Sequence, residues 1–460
     1  MKTLATRNYW QKERTYDSLF LSMCFCFWHP NYKVGRVNYK KPLTMTTIQL
    51  MLKTITLILL LFSTLVQSSE LDKSLDALER GDFQTAYNIL IPLANQGDAI
   101  AQNNIGVMFE DGMGVPQDDN LAANWYRKAA EQGYSIAQNN LGSMYERGKG
   151  VPKNINLALD LYRKSAEQGY AVAQSNLGNM YVQGNGVAQD YRLAKVWYQK
   201  GALQGEVRAQ YNLAMIYDPN NGMLEDSSKA VYWYQQASEK GYAPAQTNLG
   251  FAYYHGQGAT KNDEQAVYWY RKAALQGEIA AQYSLAKIYE FGNELIQNHS
   301  QAFYWYREAA AQGDVTSQHN LADMYSQGKG ISQDNLKAAT WYLRAAKQGY
   351  ATSQHNLGVM YSEGKGLTQD DKQSARWYLK AAKQGYAASQ HNLGIMYAQG
   401  NGVDQNNKLA FMWFTLAKQN GYKEADISIV TVSRSMSYKE MSEAFKKSQI
   451  CLNSDYLECY

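Results

Sequence analysis

Residues 98–133 read DAIAQNNIGVMFEDGMGVPQDDNLAANWYRKAAEQG, and this unit decides the fold. Four apolar residues recur at helical spacing and predict a first helix, helix A: Ala101, Ile105, Met108 and Phe109. Gly112 ends this helix, because glycine adopts left-handed backbone angles without a Cβ penalty. Asp118 begins a second helix, helix B, by capping its free N–H groups, and Gly133 ends it. The unit therefore predicts a helical hairpin.

The same unit returns every 36 residues without slippage. Its marker is a Trp-Tyr pair in helix B: Trp125-Tyr126, Trp197-Tyr198, Trp233-Tyr234, Trp269-Tyr270, Trp305-Tyr306, Trp341-Tyr342 and Trp377-Tyr378. Leu161-Tyr162 and Trp413-Phe414 fill the two remaining slots. Each unit also places Asp or Asn at the cap of helix B: Asp118, Asn154, Asp190, Asp226, Asn262, Asn298, Asp334, Asp370 and Asn406. A fixed period of this length predicts an all-α solenoid, here of about nine repeats over residues 98–421.

Two turns between helices A and B depart from the Gly-x-Gly pattern. Asn220 replaces the first glycine of one turn, and asparagine is expected to adopt the same left-handed conformation. At 292–294 the sequence Gly-Asn-Glu lacks the second glycine. Because the register continues unshifted, we expect both to be local variants of the turn.

Segments at both ends are expected to cap the stack, since a solenoid has to cover its terminal apolar faces. Residues 69–97 are interpreted as an N-terminal half-repeat. Residues 422–460 are expected to hold a C-terminal capping helix and a tail closed by a disulfide. In that helix, at 437–450, three residues are expected to face inward: Met441, Ala444 and Phe445.

An apolar run at residues 55–66 indicates export. At about 1.5 Å per residue the run is too short to cross roughly 30 Å of hydrocarbon, but it matches the core of a signal peptide. We therefore interpret residues 51–68 as a signal peptide. Residues 1–50 would then be an upstream translation artefact or a disordered tail, with Met45 or Met51 as the initiator; an atypical soluble N-terminal tail is the alternative.

The cysteines are consistent with export to a bacterial periplasm or to the medium. Beyond residue 50 the chain has two cysteines, Cys451 and Cys459. An even pair in an exported chain favours a disulfide, and two unpaired thiols are the alternative. No stable membrane span is expected after removal of the signal peptide.

Charge argues against nucleic-acid binding. The formal charge of the chain is +4. Residues 1–50 carry eight basic and two acidic residues, which leaves 37 basic and 39 acidic residues in the remainder. The repeats therefore lack the basic stripe that binding to phosphates requires.

Two segments closely resemble Sel1-like repeats, which are relatives of the tetratricopeptide repeat: AAEQGYSIAQNNLGSMYERGKGVPKN at 129–154 and AAKQGYAASQHNLGIMYAQGNGV at 381–403. The resemblance implies a right-handed α/α superhelix that acts as an adaptor, with helix A lining its concave face. One cysteine-rich branch of this family binds and hydrolyses β-lactams. That branch carries a disulfide in each repeat, whereas the repeats of this chain contain no cysteine.

The variable positions of helix A are therefore interpreted as solvent-facing residues of the groove. Four of them are expected to form an aromatic patch that holds a peptide or a helix: Tyr211, Met215, Phe251 and Tyr254. Tyr283, His319, His355 and His391 continue the same positions. Scattered exposed apolar residues are the alternative interpretation, since they are ordinary on any protein surface.

The three histidines are expected to be solvated residues of the groove and not metal ligands. Neighbouring helices pack about 8–10 Å apart, which is too far for easy joint ligation at zinc distances of about 2 Å. No cofactor site and no catalytic motif is recognised either: the chain has no His-Glu-x-x-His, no Gly-x-Ser-x-Gly, no P-loop lysine and no dinucleotide fingerprint.

We therefore expect a monomeric, non-enzymatic scaffold of the cell envelope that binds a protein or peptide in its concave groove. Two alternatives remain open from the sequence. One is an enzyme of the β-lactam-binding or envelope-hydrolase kind. The other is a periplasmic regulator that sequesters an envelope enzyme or a sensor.

Overall fold

The computed structural model describes residues 69–221, 223–293 and 297–459. The chain divides after Asp82 into two units. Residues 69–79 are helical and belong to the first unit, and the second begins with the helix Phe83–Asn95. The half-repeat at 69–97 therefore remains a prediction. The proposed tail at 1–50 and the signal peptide at 51–68 lie outside the described residues.

Nine helical hairpins follow one another in the second unit, and its described residues contain no strand. The helices A are Ala99–Asp111, Ser135–Arg147, Ala171–Gln183, Val207–Tyr217, Ala243–His255, Ile279–Phe291, Val315–Gln327, Ala351–Glu363 and Ala387–Gln399. The helices B are Asp119–Glu131, Ile155–Glu167, Tyr191–Leu203, Ser227–Glu239, Asp263–Ala274, His299–Ala311, Asn335–Lys347, Asp371–Ala382 and Asn407–Gln419. We number these hairpins as repeats 1 to 9. The expected α/α solenoid is confirmed.

The Asp or Asn cap of helix B is confirmed in every repeat. In repeat 1, Asp118 Oδ1 accepts hydrogen bonds from the backbone N–H groups of Asn120 and Leu121 at 2.9 and 3.0 Å. The first turn of a helix has no partner of its own for these donors, and losing such a cap costs about 1 kcal/mol.

The tyrosine of the Trp-Tyr pair fills the space between the two helices of its own hairpin. A Cβ on Gly106 of helix A would lie 2.7 Å from the Tyr126 ring, so this position needs a small residue. The Tyr126 hydroxyl donates to Glu110 at 2.8 Å, and Tyr306 donates to Glu290 at the same distance. Burial raises the pKa of both tyrosines, so the hydroxyls stay protonated and keep donating.

Buried glutamines join the two helices of a hairpin and also bond back to the preceding repeat. Gln318 of helix A donates to the carbonyl oxygen of Ala310 at 3.2 Å, and its own side-chain oxygen accepts from Gln348 at 2.8 Å. The same pairing recurs along the stack: Gln102 with Gln132, Gln138 with Gln168, Gln174 with Gln204, Gln246 with Gln276, Gln282 with Gln312, Gln354 with Gln384, and Gln390 with Asn420. These bonds satisfy buried polar groups and align each repeat with the next.

Repeat 4 breaks this glutamine ladder, because Lys240 stands where the other repeats have glutamine or asparagine. Its amine donates to the carbonyl oxygen of Gly205 at 2.6 Å, and burial lowers its pKa. The side-chain oxygen of Gln210 is therefore buried without a partner, and so is the Ser238 hydroxyl. Among the described residues, repeat 4 thus carries a buried acceptor, the Gln210 oxygen, that the ladder satisfies elsewhere, whereas the equivalent of Ser238 is alanine in seven other repeats.

The expectation for the turn at Asn220 is wrong. Outside glycine, the described residues with positive φ are Asp455 and Tyr456, and Asn220 lies instead in the 3-10 helix Pro219–Asn221. Asp218 follows the early end of helix A and accepts from the Asn220 N–H at 2.9 Å, which holds the turn in this other form.

The turn of repeat 6 also differs from the pattern. Gly292 has φ −65° and ψ 176° instead of the left-handed angles of the other first glycines. In repeat 7, a Cβ on the second glycine, Gly330, would lie 2.2 Å from the carbonyl oxygen of His299. Residue 294 takes this position in repeat 6 and lies outside the described residues.

The C-terminal cap holds two helices, Ala425–Ser433 and Tyr438–Asn453, of which the sequence reasoning found only the second. Ala444 is buried, as expected, but Phe445 is 49% exposed, so its inward orientation is wrong. Buried Ala444 is followed at helical spacing by buried Ser448 and Cys451, and this face excludes Phe445.

A disulfide joins Cys451 to Cys459, and both cysteines are fully buried. The Tyr456 hydroxyl inside the closed loop hydrogen-bonds to the Asn420 side chain at 2.7 Å, at the end of the last helix B. The tail is thereby tied to repeat 9. No helix in the described ranges is long and apolar enough to cross a membrane.

Candidate functional site

Short polar side chains connect neighbouring helices A directly. Asn140 donates to Asn103 at 3.1 Å, and Asn176 donates to Asn139 at 2.8 Å. Such short side chains can bridge two helices only where those helices approach closely. The helices A therefore lie on the inner side of the stack, and their exposed residues line a groove.

In repeat 4 the structure gathers two of the expected groove residues around Tyr234. The Tyr211 ring lies 5.9 Å from that of Tyr234 and 5.2 Å from that of Tyr242, and burial raises its pKa. The Met215 sulfur accepts from the Tyr234 hydroxyl at 3.1 Å and from the Asn248 amide at 3.4 Å. Both residues are half-buried, so they form a firm floor with limited exposed area.

In repeat 5 the other two residues of the patch meet at a histidine that the sequence reasoning missed. The His255 ring lies 4.2 Å from that of Phe251 and 4.9 Å from that of Tyr254. Phe251 is 39% exposed, whereas Tyr254 packs partly into the core of its repeat. The sequence did contain a signal for this contact, because Phe251 and His255 lie one helical turn apart.

Tyr283 extends this surface into repeat 6. Its ring packs 6.1 Å from that of Tyr306, burial raises its pKa, and the Lys287 amine lies 5.8 Å from the ring centre. Lys287 is exposed, so repeat 6 adds a positive charge to the groove beside an aromatic ring.

The expectation that the three histidines are solvated is wrong for two of them. His319 and His391 are 7% and 8% exposed, and His355 is half-buried. Each ring packs between two other aromatic rings and hydrogen-bonds to a serine of the following repeat or cap. A neighbouring repeat covers these positions, which a single helical face does not reveal.

An asparagine ladder was also missed. Eight of the nine repeats carry asparagine at one half-buried position of helix A: Asn104, Asn140, Asn176, Asn212, Asn248, Asn320, Asn356 and Asn392. In the middle of the stack, the amide of Asn212 donates to Asn179 at 3.1 Å and that of Asn248 to the Tyr234 hydroxyl at 3.0 Å.

Three successive members of the ladder, in repeats 3 to 5, keep an acceptor free for a ligand, and the oxygens of Asn320 and Asn356 likewise accept no hydrogen bond within the described residues. The side-chain oxygens of Asn176, Asn212 and Asn248 accept no hydrogen bond within the described part of the chain, and none of them is a buried unsatisfied atom. They occupy the same position of helix A in three successive repeats, and the Asn248 amide lies 3.4 Å from the Met215 sulfur. The sequence signal was the repetition of Asn at a polar position.

The described residues contain no group of three His, Cys, Asp or Glu side chains arranged to hold a metal ion. The carboxylates Glu110 and Glu290 on helix A accept hydrogen bonds from tyrosines of their own hairpins, which accounts for their position. What the groove offers is hydrogen-bond acceptors, aromatic rings and an exposed lysine.

The family model described as Sel1 repeat matches nine consecutive segments: 99–134, 135–170, 171–206, 207–242, 243–278, 279–314, 315–350, 351–386 and 387–422. No curated protein matches the chain.

Among solved structures, a Sel1 repeat protein from Oxalobacter formigenes is 31% identical. The match covers 67% of this chain and 89% of that one, with a TM-score of 0.52. A protective antigen with an SLR fold from uropathogenic Escherichia coli strains is also 31% identical. That match covers 86% of this chain and 96% of the antigen, with a TM-score of 0.45. Since the family model spans the whole solenoid, the chain belongs to the Sel1 repeat family, whose members are in general non-catalytic protein–protein interaction modules.

Proposed function

We propose that this protein is a non-enzymatic scaffold that binds an extended segment of another polypeptide in the groove of repeats 3 to 5. The observation that carries the proposal is the row of free side-chain oxygens on Asn176, Asn212 and Asn248. An extended backbone offers N–H donors at regular intervals, and amide oxygens are suitable acceptors for them.

The spacing of the repeats supports an extended ligand. Neighbouring helices pack roughly 8–10 Å apart, and an extended chain advances about 3.3 Å per residue, so the ligand would meet one asparagine every two to three residues. A helix already bonds its N–H groups internally and has few left to donate.

The aromatic residues beside the ladder provide an apolar subsite. Phe251 is exposed on helix A of repeat 5, and the half-buried Tyr211 and Met215 lie on helix A of the preceding repeat. We propose that one large apolar side chain of the ligand packs here, because apolar burial adds about 25 cal/mol for each Å² removed from water.

The test is peptide selection followed by affinity measurement. Purified protein would select binders from a displayed library of random peptides, and fluorescence anisotropy would then give the Kd of the selected sequences. The double variant Phe251→Ser, Tyr254→Ser should weaken binding by more than about tenfold, which is 1.4 kcal/mol. Tyr268→Ser is the matched control, since this aromatic residue is 47% exposed on a helix B. Equal affinities for all three proteins would refute the groove site.

We also propose that the scaffold acts outside the cytoplasm, in the bacterial periplasm or beyond. The apolar run at 55–66 and the disulfide between Cys451 and Cys459 support this location. N-terminal sequencing of the protein recovered from the periplasmic fraction should begin near Ser69. Recovery only from the cytoplasm, with residues 51–68 retained, would refute it. A nitrocefin assay on the same material should show no turnover, and robust hydrolysis would favour the enzyme alternative.

A further inference from the structure

Repeats 7 to 9 differ from the others in the residue that bridges neighbouring helices A. Repeats 1 and 2 use Asn103 and Asn139 at this position, whereas repeats 7, 8 and 9 use His319, His355 and His391. The position lies at the junction with the next repeat, so the same junction is neutral and amide-based at one end of the solenoid and imidazole-based at the other.

The three imidazoles are packed in the same way. The His355 ring lies 5.5 Å from that of Tyr378 in its own repeat and 5.0 Å from that of Tyr386, which begins the next repeat. His319 lies in the same manner between Tyr342 and Tyr350. His391 lies between Phe414 and Tyr422. Each imidazole thus fills a narrow space between two aromatic rings, with little room for the water that an ionised ring needs.

Serines of the next element complete the contacts. His319 and His355 hydrogen-bond through Nδ1 to Ser353 and Ser389, at 2.9 and 2.8 Å. His391 hydrogen-bonds through Nε2 to Ser428 of the cap at 2.9 Å. The other ring nitrogen of His391 is buried without a partner, so a proton there would have no acceptor.

Few charges are placed to stabilise a protonated ring. Asp323, on the same helix, lies 3.3 Å from His319, and Glu424 of the cap attracts the charged form of His391. No charged group in the described part of the chain acts on His355.

We propose that repeats 7 to 9 form an acid-labile segment of the solenoid, in which protonation of His319, His355 and His391 opens the junctions between successive helices A and between the last helix A and the cap. A solenoid permits such a local response, because each repeat contacts only its neighbours. The inference does not depend on the proposed function, since it concerns the stability of the unliganded chain.

The sign follows from burial. Burial lowers the pKa of all three histidines, and that of His355 falls to about 4 from 6.5. Above the pKa of histidine in the unfolded chain, the three rings are neutral in both the closed and the open state, so the closed segment has its full stability. As the pH falls below 6.5, only the open state takes up protons, so stability is lost until the folded pKa is reached. At about pH 5, His355 alone should lower the closing equilibrium constant of its segment about thirtyfold.

The test is hydrogen exchange of the full chain, followed by mass spectrometry between about pH 7 and pH 5 and corrected for intrinsic exchange rates. Protection of residues 315–422 should fall at least tenfold more than that of residues 99–206. The triple variant His319→Asn, His355→Asn, His391→Asn installs the residue of repeats 1 and 2, and it should abolish the difference. Equal losses in both regions of the native chain would overturn the proposal, as would an unchanged difference in the triple variant.

A direct titration keeps the proposal testable if the triple variant does not fold. NMR of the full chain labelled at histidine carbons, assigned with the single variant His355→Asn, should show His355 neutral down to about pH 5. A His355 that titrates near 6.5 while repeats 7 to 9 stay protected from exchange would refute the acid-labile segment.

Discussion

The replacement Lys240→Gln should stabilise the protein by restoring the glutamine ladder in repeat 4. In an intact junction, Gln312 donates to the carbonyl oxygen of Gly277 at 3.1 Å and to the side-chain oxygen of Gln282 at 2.9 Å. Lys240 makes only the first of these bonds, to Gly205 at 2.6 Å. A glutamine there can keep this bond and also reach the unsatisfied oxygen of Gln210.

The magnitude follows from the polar atoms involved. An unsatisfied buried acceptor costs about 1–3 kcal/mol. Against this gain, the variant loses the attraction between Lys240 and Glu206, which for an exposed lysine is about 0–1 kcal/mol. We therefore expect a net gain of about 1 kcal/mol. This corresponds to roughly 2–4 °C in Tm for a cooperative unit of about 150–250 residues.

Calorimetry at neutral pH would measure the change in Tm, with urea unfolding as a second measurement. Two controls separate the missing donor from the removed charge. Lys240→Met removes the amine without supplying an amide, so it should not stabilise. Gln312→Lys recreates the defect in an intact junction, so it should lower the Tm by a similar amount. A Lys240→Gln variant no more stable than Lys240→Met would refute the reasoning.

Three further predictions concern the turns, the packing and the cap. Gly330→Ala should lower the free energy of unfolding by well over the roughly 1–2 kcal/mol that a left-handed backbone costs a residue with a Cβ, because its Cβ would lie 2.2 Å from a carbonyl oxygen. Gly349→Ala, with φ +95° and open space around it, should cost only that strain. Equal losses of Tm for the two variants would contradict this prediction. Trp305→Ala removes a side chain that is 3% exposed and should lower the free energy of unfolding by about 3–5 kcal/mol. Hydrogen exchange should become faster in repeats 5 to 7 and stay unchanged in repeat 1, because each repeat contacts only its neighbours. A uniform rise in exchange would contradict the one-dimensional stack. The double variant Cys451→Ser, Cys459→Ser should destabilise the tail by at most about 2–3 kcal/mol. Hydrogen exchange should become faster in residues 425–459 only. Faster exchange throughout the chain would contradict a purely local role of the disulfide.

The hairpins could be read from the sequence because their determinants are local. The Asp or Asn cap acts on N–H groups two or three residues away, and the left-handed glycines act on their own backbone angles. The same signals fail where a turn finds another local solution, as at Asn220, where Asp218 holds a 3-10 helix. The cap was misread at Phe445 because the apolar residues suggested a stripe through Met441, Ala444 and Phe445, whereas the buried face runs through Ala444, Ser448 and Cys451.

The candidate site was found only in part for a different reason. Helix A was recognised, but which of its faces meets solvent depends on the neighbouring repeat. Thus Phe251 is exposed as expected, whereas His319 is covered by Tyr350 from the following repeat. Partners that lie 30 to 37 residues apart cannot be paired from the spacing within one helix.

The 36-residue period by itself determined a linear stack of helical hairpins, because caps, glycine turns and apolar stripes act within a few residues of each other. The tertiary structure alone decided which polar side chains bind one another and which remain free for a ligand. Gln102 and Gln132 pair across a hairpin, while the oxygens of Asn212 and Asn248 stay open to the groove. The physical reason is that a hydrogen bond between side chains requires an approach of about 3 Å, and stacking the repeats brings such distant residues together.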